Sequence, residues 1–294
     1  MSHTVLNVEQ TPPILNTDMA ADILSEFDAS VVTSTTTDED ELIDLVPGKE
    51  GLMVHAGVPV TDRVIEAGEE LQVIARCGIG IDNVDLEVAA DRTITVVNHP
   101  TYSVQEVATH AVSLCLAGFR RIPAYDRDTR EGSWAWATGA PMGRLSESTV
   151  GLVGFGSIGR RVAVLASGFG CDILATDPYV DDAVMARHNV ESVDLQTLCE
   201  RSHIVSIHAE LTDETEGLIS ADELAADGIG FVGLDVTDPE PLPADHALFE
   251  FDNFVATPHA AWYSERSRDE LSRDIARDVG RVLNGGQPTN PVID

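Results

Sequence analysis

The sequence predicts an α/β protein made of two doubly wound parallel-sheet domains, and three observations carry that reading. Short apolar strands alternate with amphipathic helices through residues 4–100, and the same alternation restarts at Thr149. A glycine-rich turn, Gly154-Phe155-Gly156-Ser157-Ile158-Gly159, lies directly between an apolar strand and a helical segment. Strands separated by helix-length stretches need crossover connections, which deliver the next strand parallel and cover both faces of the sheet.

In chain order, the first domain reads as strand TVLNV, a helix over 17–27, strand SVVTS, a helix over 39–45, strand GLMVHAG, a helix over 61–69, then strands LQVIAR and TITVVN. After Pro100, Val107, Ala111, Leu114 and Ala117 recur at helical spacing and predict a long helix over 102–120, followed by a charged stretch ending in GSWAW. The second domain reads as TVGLVGFG, CDILATD, HIVSIH, GFVGLDV and NFVATP, each a strand candidate. An amphipathic helix over 265–285 closes the chain, with Gly285 and Gly286 as its stop. These boundaries give a domain of residues 1–100 plus 266–294 and another of 101–265.

Charge excludes several function classes. With 50 acidic against 18 basic side chains, the net charge is -32, and such a surface repels nucleic acid and anionic lipid, whose phosphates require a basic footprint. Lys49 is the only lysine. An acidic, lysine-poor surface suits concentrated salt, where a Debye length of roughly 3 Å screens carboxylate repulsion, so a halophilic cytoplasm is expected. No apolar run reaches the roughly 20 residues of a membrane helix, and the start lacks a signal-peptide pattern. Cys77, Cys115, Cys171 and Cys199 form no CxxC pair and read as free thiols. His203 and His208, at odd spacing on one apparent strand, should face opposite ways, and with no other histidine pair at ligand spacing no metal is predicted.

The glycine turn carries the most specific chemistry. Its first glycine permits a tight turn, its second lets backbone amides approach a pyrophosphate, and its third allows helix and strand to pack closely, with phosphate at the positive helix end. Asp177 ends the next strand, where an acidic residue accepts hydrogen bonds from adenosine ribose hydroxyls; this favours NAD over NADP. A turn cap before Pro178 is the plainer reading of the same residue. Asp235-Val236-Thr237-Asp238-Pro239-Glu240-Pro241 and Thr257-Pro258-His259 each follow a strand candidate. Both therefore belong at carboxyl ends of parallel strands, where doubly wound sheets place ligands, and a cleft between the domains is the expected site.

Four ordered motifs, RCGIGIDNVD from Arg76, the glycine turn, DVTDPEP and TPHAAWYSE, resemble the D-isomer-specific 2-hydroxyacid dehydrogenase family, and TPHAAWYSE resembles its C-terminal binding protein-like branch. The resemblance runs from about Gly51 to the last helix. It implies a flavodoxin-like substrate domain, a Rossmann NAD-binding domain, a small 2-oxoacid or 2-hydroxyacid substrate, and a homodimer built through the nucleotide domain with the 102–120 helix at the contact. By the same resemblance His259 is the general acid/base and Glu240 the carboxylate that stabilises its protonated ring. Hydride reaching a carbonyl carbon leaves an alkoxide that needs such a proton. The backbone turn Gly78-Ile79-Gly80 would receive the substrate carboxylate, and Trp262 and His55 would line the substrate side. Core packing is the plainer reading of Trp262, and a strand-end solvent contact that of His55. On the cofactor side the resemblance places Gly154, Gly156, Ser157, Ile158, Gly159, Asp177, His208, Thr212 and Asp235, the last facing the nicotinamide carboxamide.

One departure stands against these matches. Where the family follows its HxPLT motif with a helix, a strand, an Arg-Gly turn and another helix, this chain runs from HAELTDETEGLISADELA directly into ADGIGFVGLDV. No arginine or lysine occurs between Arg201 and Arg266. A βα unit of on the order of two dozen residues is missing, judged against the roughly 30 of a full βαβ unit. If the chain truly lacks this unit, severely impaired turnover is expected even with His259 and Glu240 present; the expectation is that the native molecule contains it, as a mobile segment at the cleft. The second reading is thus an NAD(H)-binding sensor or scaffold that lacks the family's arginine.

Overall fold

The first strand, β1 (His3–Val8), is buried over its last four residues, as a central strand of a sheet covered on both faces must be. In a computed structural model that describes residues 2–210, 212, 214–218, 230–237 and 239–293, it is followed by α1 (Thr17–Ser25), β2 (Ala29–Ser34), α2 (Glu39–Leu45), β3 (Gly51–Val54), α3 (Asp62–Ala67), β4 (Val73–Arg76), α4 (Leu86–Asp91) and β5 (Thr95–Val97). Then come α5 (Val104–Phe119), α6 (Ile122–Arg130), β6 (Thr149–Val153), α7 (Ser157–Ser167), β7 (Asp172–Thr176), α8 (Asp182–Arg187), β8 (Glu191–Ser192), α9 (Leu195–Arg201) and β9 (Ile204–Ile207). The chain continues through β10 (Val232–Leu234), β11 (Phe254–Ala256), α10 (Glu265–Leu283) and β12 (Pro291–Ile293). Two units result, Met1–Tyr102 with Tyr263–Asp294, and Ser103–Trp262.

In the first unit β2, β1, β3, β4 and β5 lie side by side in parallel, with β12 antiparallel along β5. The order 2-1-3-4-5 is the flavodoxin-like one. Successive residues face opposite sides of a strand, which sorts the core into two layers. Leu6, Leu52, Ile74 and Val96 meet Leu42 and Val64 on one face, while Val5, Met53, Val73 and Val97 meet Leu24, Leu271 and Ile275 on the other. Helix α10 starts with a reciprocal Ser264–Ser267 capping box and stops where Gly285 turns left-handed at φ 72°, its N–H donating to Val282 O and that of Gly286 to Arg281 O. Buried Asp278 accepts hydrogen bonds from the Thr289 and Asn290 amides and from Arg281, tethering the tail that forms β12. That edge strand has no counterpart in the sequence reading.

In the second unit β8, β7, β6 and β9 form a parallel sheet, and β10 and β11 form a separate parallel pair. The first four occupy the 3-2-1-4 positions of a Rossmann sheet. Where that order would continue, no strand among the described residues joins β9 to β10. Helix α5 packs on both pieces: Cys115 hydrogen-bonds Ser206 of β9, while Leu114 and the glycine face at Gly118 meet Gly233 and Phe231 at β10. Two details differ from the sequence reading. Residues 122–130 form a helix rather than only a charged stretch, because Pro123 occupies its first turn, a position where the missing N–H costs nothing. His203 and His208 flank β9 rather than lying within it.

Candidate active site

The glycine turn of the second unit leaves β6 at Gly154, which has φ 91° and backs directly onto the His208–Ala209 backbone, 2.8 Å from where a Cβ would stand. Only glycine fits that approach. At Gly159 a Cβ would lie 2.3 Å from Gly154 O, so this residue lets α7 press against the strand end. Beside Gly156 there is open space. The first amides of an α-helix have no intrahelical acceptor, so those of Ser157 and Ile158 point outward with the positive helix end behind them. This cradle fits a pyrophosphate. Asp177 lies beside it: Oδ2 accepts from Phe155 N at 2.7 Å and Oδ1 from Tyr179 N at 2.9 Å. The carboxylate therefore holds the turn, and the cap before Pro178 is real. About half of its roughly four acceptor sites stay open to ribose hydroxyls.

His208 continues the β6–β9 pairing by donating its N–H to Val153 O, and its Nε2 is 2.9 Å from Ser206 Oγ. Burial holds its pKa down to about 4, so the ring is neutral. Thr212 is exposed and opens a turn whose amide contacts Thr215 Oγ1.

The loops after β10 and β11 bring the predicted acid/base pair together. His259 Nδ1 lies 2.9 and 3.1 Å from the Glu240 carboxylate oxygens, both side chains being nearly half exposed. With Nδ1 so engaged, Nε2 is the ring nitrogen left to exchange a proton with a substrate. Asp235, just past β10, organises this corner. Its Oδ1 accepts from Thr257 Oγ1 at 2.6 Å and Ala260 N at 2.9 Å, its Oδ2 from Ala261 N at 2.9 Å, and its carbonyl from His259 N. One acceptor site of its carboxylate remains. Trp262 is half-buried at the end of the same loop.

In the first unit the Gly78-Ile79-Gly80 turn follows β4. Gly78 takes φ 156°, and the Arg76 guanidinium folds over it so closely that a side chain there would have to push the arginine aside. Here one expectation is corrected: the Gly78 amide donates to Arg76 O at 2.9 Å and is already used. Among the described residues the Ile79 and Gly80 amides have no protein acceptor, so they can receive an anion. His55, at the end of β3, is buried, its pKa pushed down by burial and then by the Arg76 charge. Its Nδ1 accepts from Gly57 N, while His55 Nε2 and Arg76 Nε are buried without protein partners among the described residues. Unpaired buried polar atoms are costly; a bound anionic ligand would relieve both.

Sequence reasoning assigned no role to Arg76, Thr257 or His110. The first two lay inside quoted motifs, but His110 gave no signal: one histidine on an amphipathic helix has no partner visible in sequence.

A family model described as the NAD binding domain of D-isomer specific 2-hydroxyacid dehydrogenases matches residues 112–228 and again 224–261. The chain is 36% identical to D-3-phosphoglycerate dehydrogenase of Mycobacterium bovis, over 84% of this chain and 52% of that protein. It is 35% identical to hydroxypyruvate reductase of Thermotoga maritima, over 90% of this chain and 94% of that protein. The crystal structure of the TT0316 protein from Thermus thermophilus superposes with a TM-score of 0.88 at 29% identity, covering 99% of this chain and 100% of that one. A two-domain α/β fold, an NAD-binding domain in its second half and these relatives define a class. The chain belongs to the D-isomer specific 2-hydroxyacid dehydrogenase family. It spans about half the length of the D-3-phosphoglycerate dehydrogenases it matches.

The same matches give the total number of relatives' positions without a counterpart here. The 275 positions aligned with the M. bovis protein use 84% of 294 residues, leaving about 28 without a counterpart here. The 295 aligned with the T. maritima protein use 90%, leaving about 30. The two family-model matches meet at 224–228, where the sequence departs from the HxPLT-to-Arg-Gly pattern.

Proposed function

We propose that the protein interconverts a small 2-oxoacid and its D-2-hydroxyacid with NAD(H), and that its turnover is held low by the missing βα unit. The observation that carries the first half is the His259–Glu240 pair on the loops after β10 and β11, in a family whose chemistry needs one proton at the substrate oxygen. The glycine turn would hold NADH with Asp177 on the ribose, and the bound cofactor would supply the hydride for the carbonyl carbon. Protonated His259 delivers its Nε2 proton to the oxygen that becomes negative, Glu240 stabilises the ring while it is charged, and Asp235 holds the turn that carries it. Ile79 and Gly80 offer amides, and Arg76 a guanidinium, to the substrate carboxylate; the first unit is the substrate domain in this reading. His55 and Trp262 border the substrate, while His208, Thr212 and the Asp235 carboxylate face the cofactor.

The second reading, an NAD(H)-binding sensor or scaffold, is favoured by the absence of any arginine between Arg201 and Arg266. A charge-assisted hydrogen bond to the substrate contributes about 1.5–3 kcal/mol, and a lost electrostatic stabiliser of the developing alkoxide costs about 2.7–4 kcal/mol. NADH oxidation with a panel of 2-oxoacids separates the two: slow turnover abolished by His259→Ala supports the enzyme, and saturable NADH binding with no turnover supports the scaffold.

The protein is a cytoplasmic, halophilic homodimer in this proposal. Its dimer contact involves α5 and the segment after it, where Ile122, Trp134 and Trp136 are largely exposed; large exposed apolar groups mark interaction surfaces. The charge of -32 predicts a higher melting temperature in molar KCl than in dilute buffer.

A further inference from the structure

Thr257 lies between a histidine and a carboxylate that belong to other elements. Its Oγ1 is 2.6 Å from Asp235 Oδ1 and 2.9 Å from His110 Nε2, and His110 Nε2 is itself 3.7 Å from that carboxylate oxygen. A hydroxyl has one proton to give. The short contact to a carboxylate, which can only accept, takes it. The Thr257 oxygen must then accept from His110, which fixes His110 as an Nε2–H donor. The chain of polarity therefore runs from α5 outward: His110 Nε2–H to Thr257 O–H to Asp235, whose oxygens hold the amides of Ala260 and Ala261.

Those two amides directly follow His259, which is the residue under strain. It sits at φ 51°, in the left-handed region, with its N–H shared between Asp235 O and Thr257 O. Such a conformation is strained in a non-glycine residue and persists only where its surroundings impose it. The loop has few other supports. β10 and β11 are three residues each and pair only with one another among the described residues, so the 16-residue α5 is the rigid element within reach.

We infer that His110 is a positioning residue for His259, acting through Thr257 and Asp235 to hold the left-handed turn that aims the His259 ring. This rests on the acid/base role proposed for His259. Two measurements do not depend on that role. Nitrogen-15 NMR of the imidazoles is expected to find His110 protonated at Nε2. Amide hydrogen exchange at Ala260 and Ala261 is expected to accelerate about tenfold in His110→Ala and in Thr257→Val, and to return toward the parent rate in His110→Gln and Thr257→Ser, which keep a donor and a hydroxyl. In NADH-dependent reduction of a 2-oxoacid, His110→Ala should lower kcat about tenfold while KM and the NADH Kd stay within twofold. An Nε2 without a proton, or unchanged exchange at 260 and 261 in both His110→Ala and Thr257→Val, overturns the inference. If the parent shows the predicted tautomer and exchange pattern but no His259-dependent turnover, the positioning chain stands and the enzymatic reading fails. If His110→Ala does not fold, the His110→Gln and Thr257→Val comparison decides alone.

Discussion

The first unit carries a sheet that runs without interruption from β2 to β12, six strands with every internal edge paired, whereas among the described residues the second unit's strands divide into four and two. In both sheets the central strands β1, β3, β4 and β6 are short apolar runs that are mostly buried, and in both the predicted site residues stand at strand ends. The difference is where that chemistry sits relative to the break. Gly78–Gly80 and His55 emerge from central strands of a closed array. His259, Glu240 and Asp235 follow β10 and β11, which among the described residues pair only with one another, with α5 packed beside β10. An interior strand missing from a parallel sheet leaves its neighbours' N–H and C=O groups without ladder partners. The proposed proton-transfer pair thus lies on the part of the described fold with the fewest strand partners.

Closing the gap should have the largest effect. Inserting the roughly 30-residue βα segment of the T. maritima relative after Leu224-Ala225 should raise kcat/KM on a 2-oxoacid by about 100- to 1000-fold, the range associated with restoring one stabiliser of a developing oxyanion. An insertion that folds and binds NADH but leaves the rate unchanged would remove the gap from the account of turnover.

Stability should separate the two units next. Leu52 and Leu152 are both completely buried, and replacing either by Ala should cost about 2–5 kcal/mol. The parent should melt in two steps, the second unit first, with Leu152→Ala lowering the earlier transition and Leu52→Ala the later. A single transition shifted equally by both would show the units to be one cooperative block.

Lowering the pH probes the same division. Buried neutral His208 titrates near 4 in the folded chain and near its ordinary value of 6.5 when unfolded. The unfolded chain therefore binds a proton that the folded one refuses, and the second unit should lose on the order of 2–3 kcal/mol as pH falls from 6.5 to 4, with no loss from this group above 6.5. His55 gives the first unit a loss of the same sign. Denaturant midpoints across that range, with His208→Gln flattening the slope of the second unit, check it. The smallest effect concerns the cofactor: Asp177→Ala should narrow the preference for NADH over NADPH by about tenfold, since a carboxylate beside the 2′ position repels phosphate. Because Asp177 also anchors Phe155 N and Tyr179 N, Kd for both cofactors should rise together.

The alternation of strands and helices, the glycine turn and the missing unit were legible in the sequence because each is a local pattern: a period, a spacing, or a motif without its continuation. That a carboxylate and His259 could meet was legible because both motifs follow strand candidates; the choice of Glu240 as the partner, 19 positions away, came only through family resemblance. What stayed hidden was relational. No sequence rule couples His110 to Thr257 across 147 positions, and no motif says that the Gly78 amide is consumed by its own turn. Nor did spacing reveal β12, whose place along β5 depends on Asp278 catching the chain after α10.

In the proposed reading hydride chemistry persists here at a rate set by the family segment that the sequence lacks near 224–228. Side-by-side stopped-flow of the parent and its His259→Ala variant, with NADH and saturating 2-oxoacid in molar KCl, tests it most directly. The expected result is saturable NADH binding by both, slow NADH oxidation by the parent, and at least a roughly hundredfold further loss in the variant, as removal of a general acid entails. Oxidation at equal rates by parent and variant, or no NADH binding by either, would contradict it.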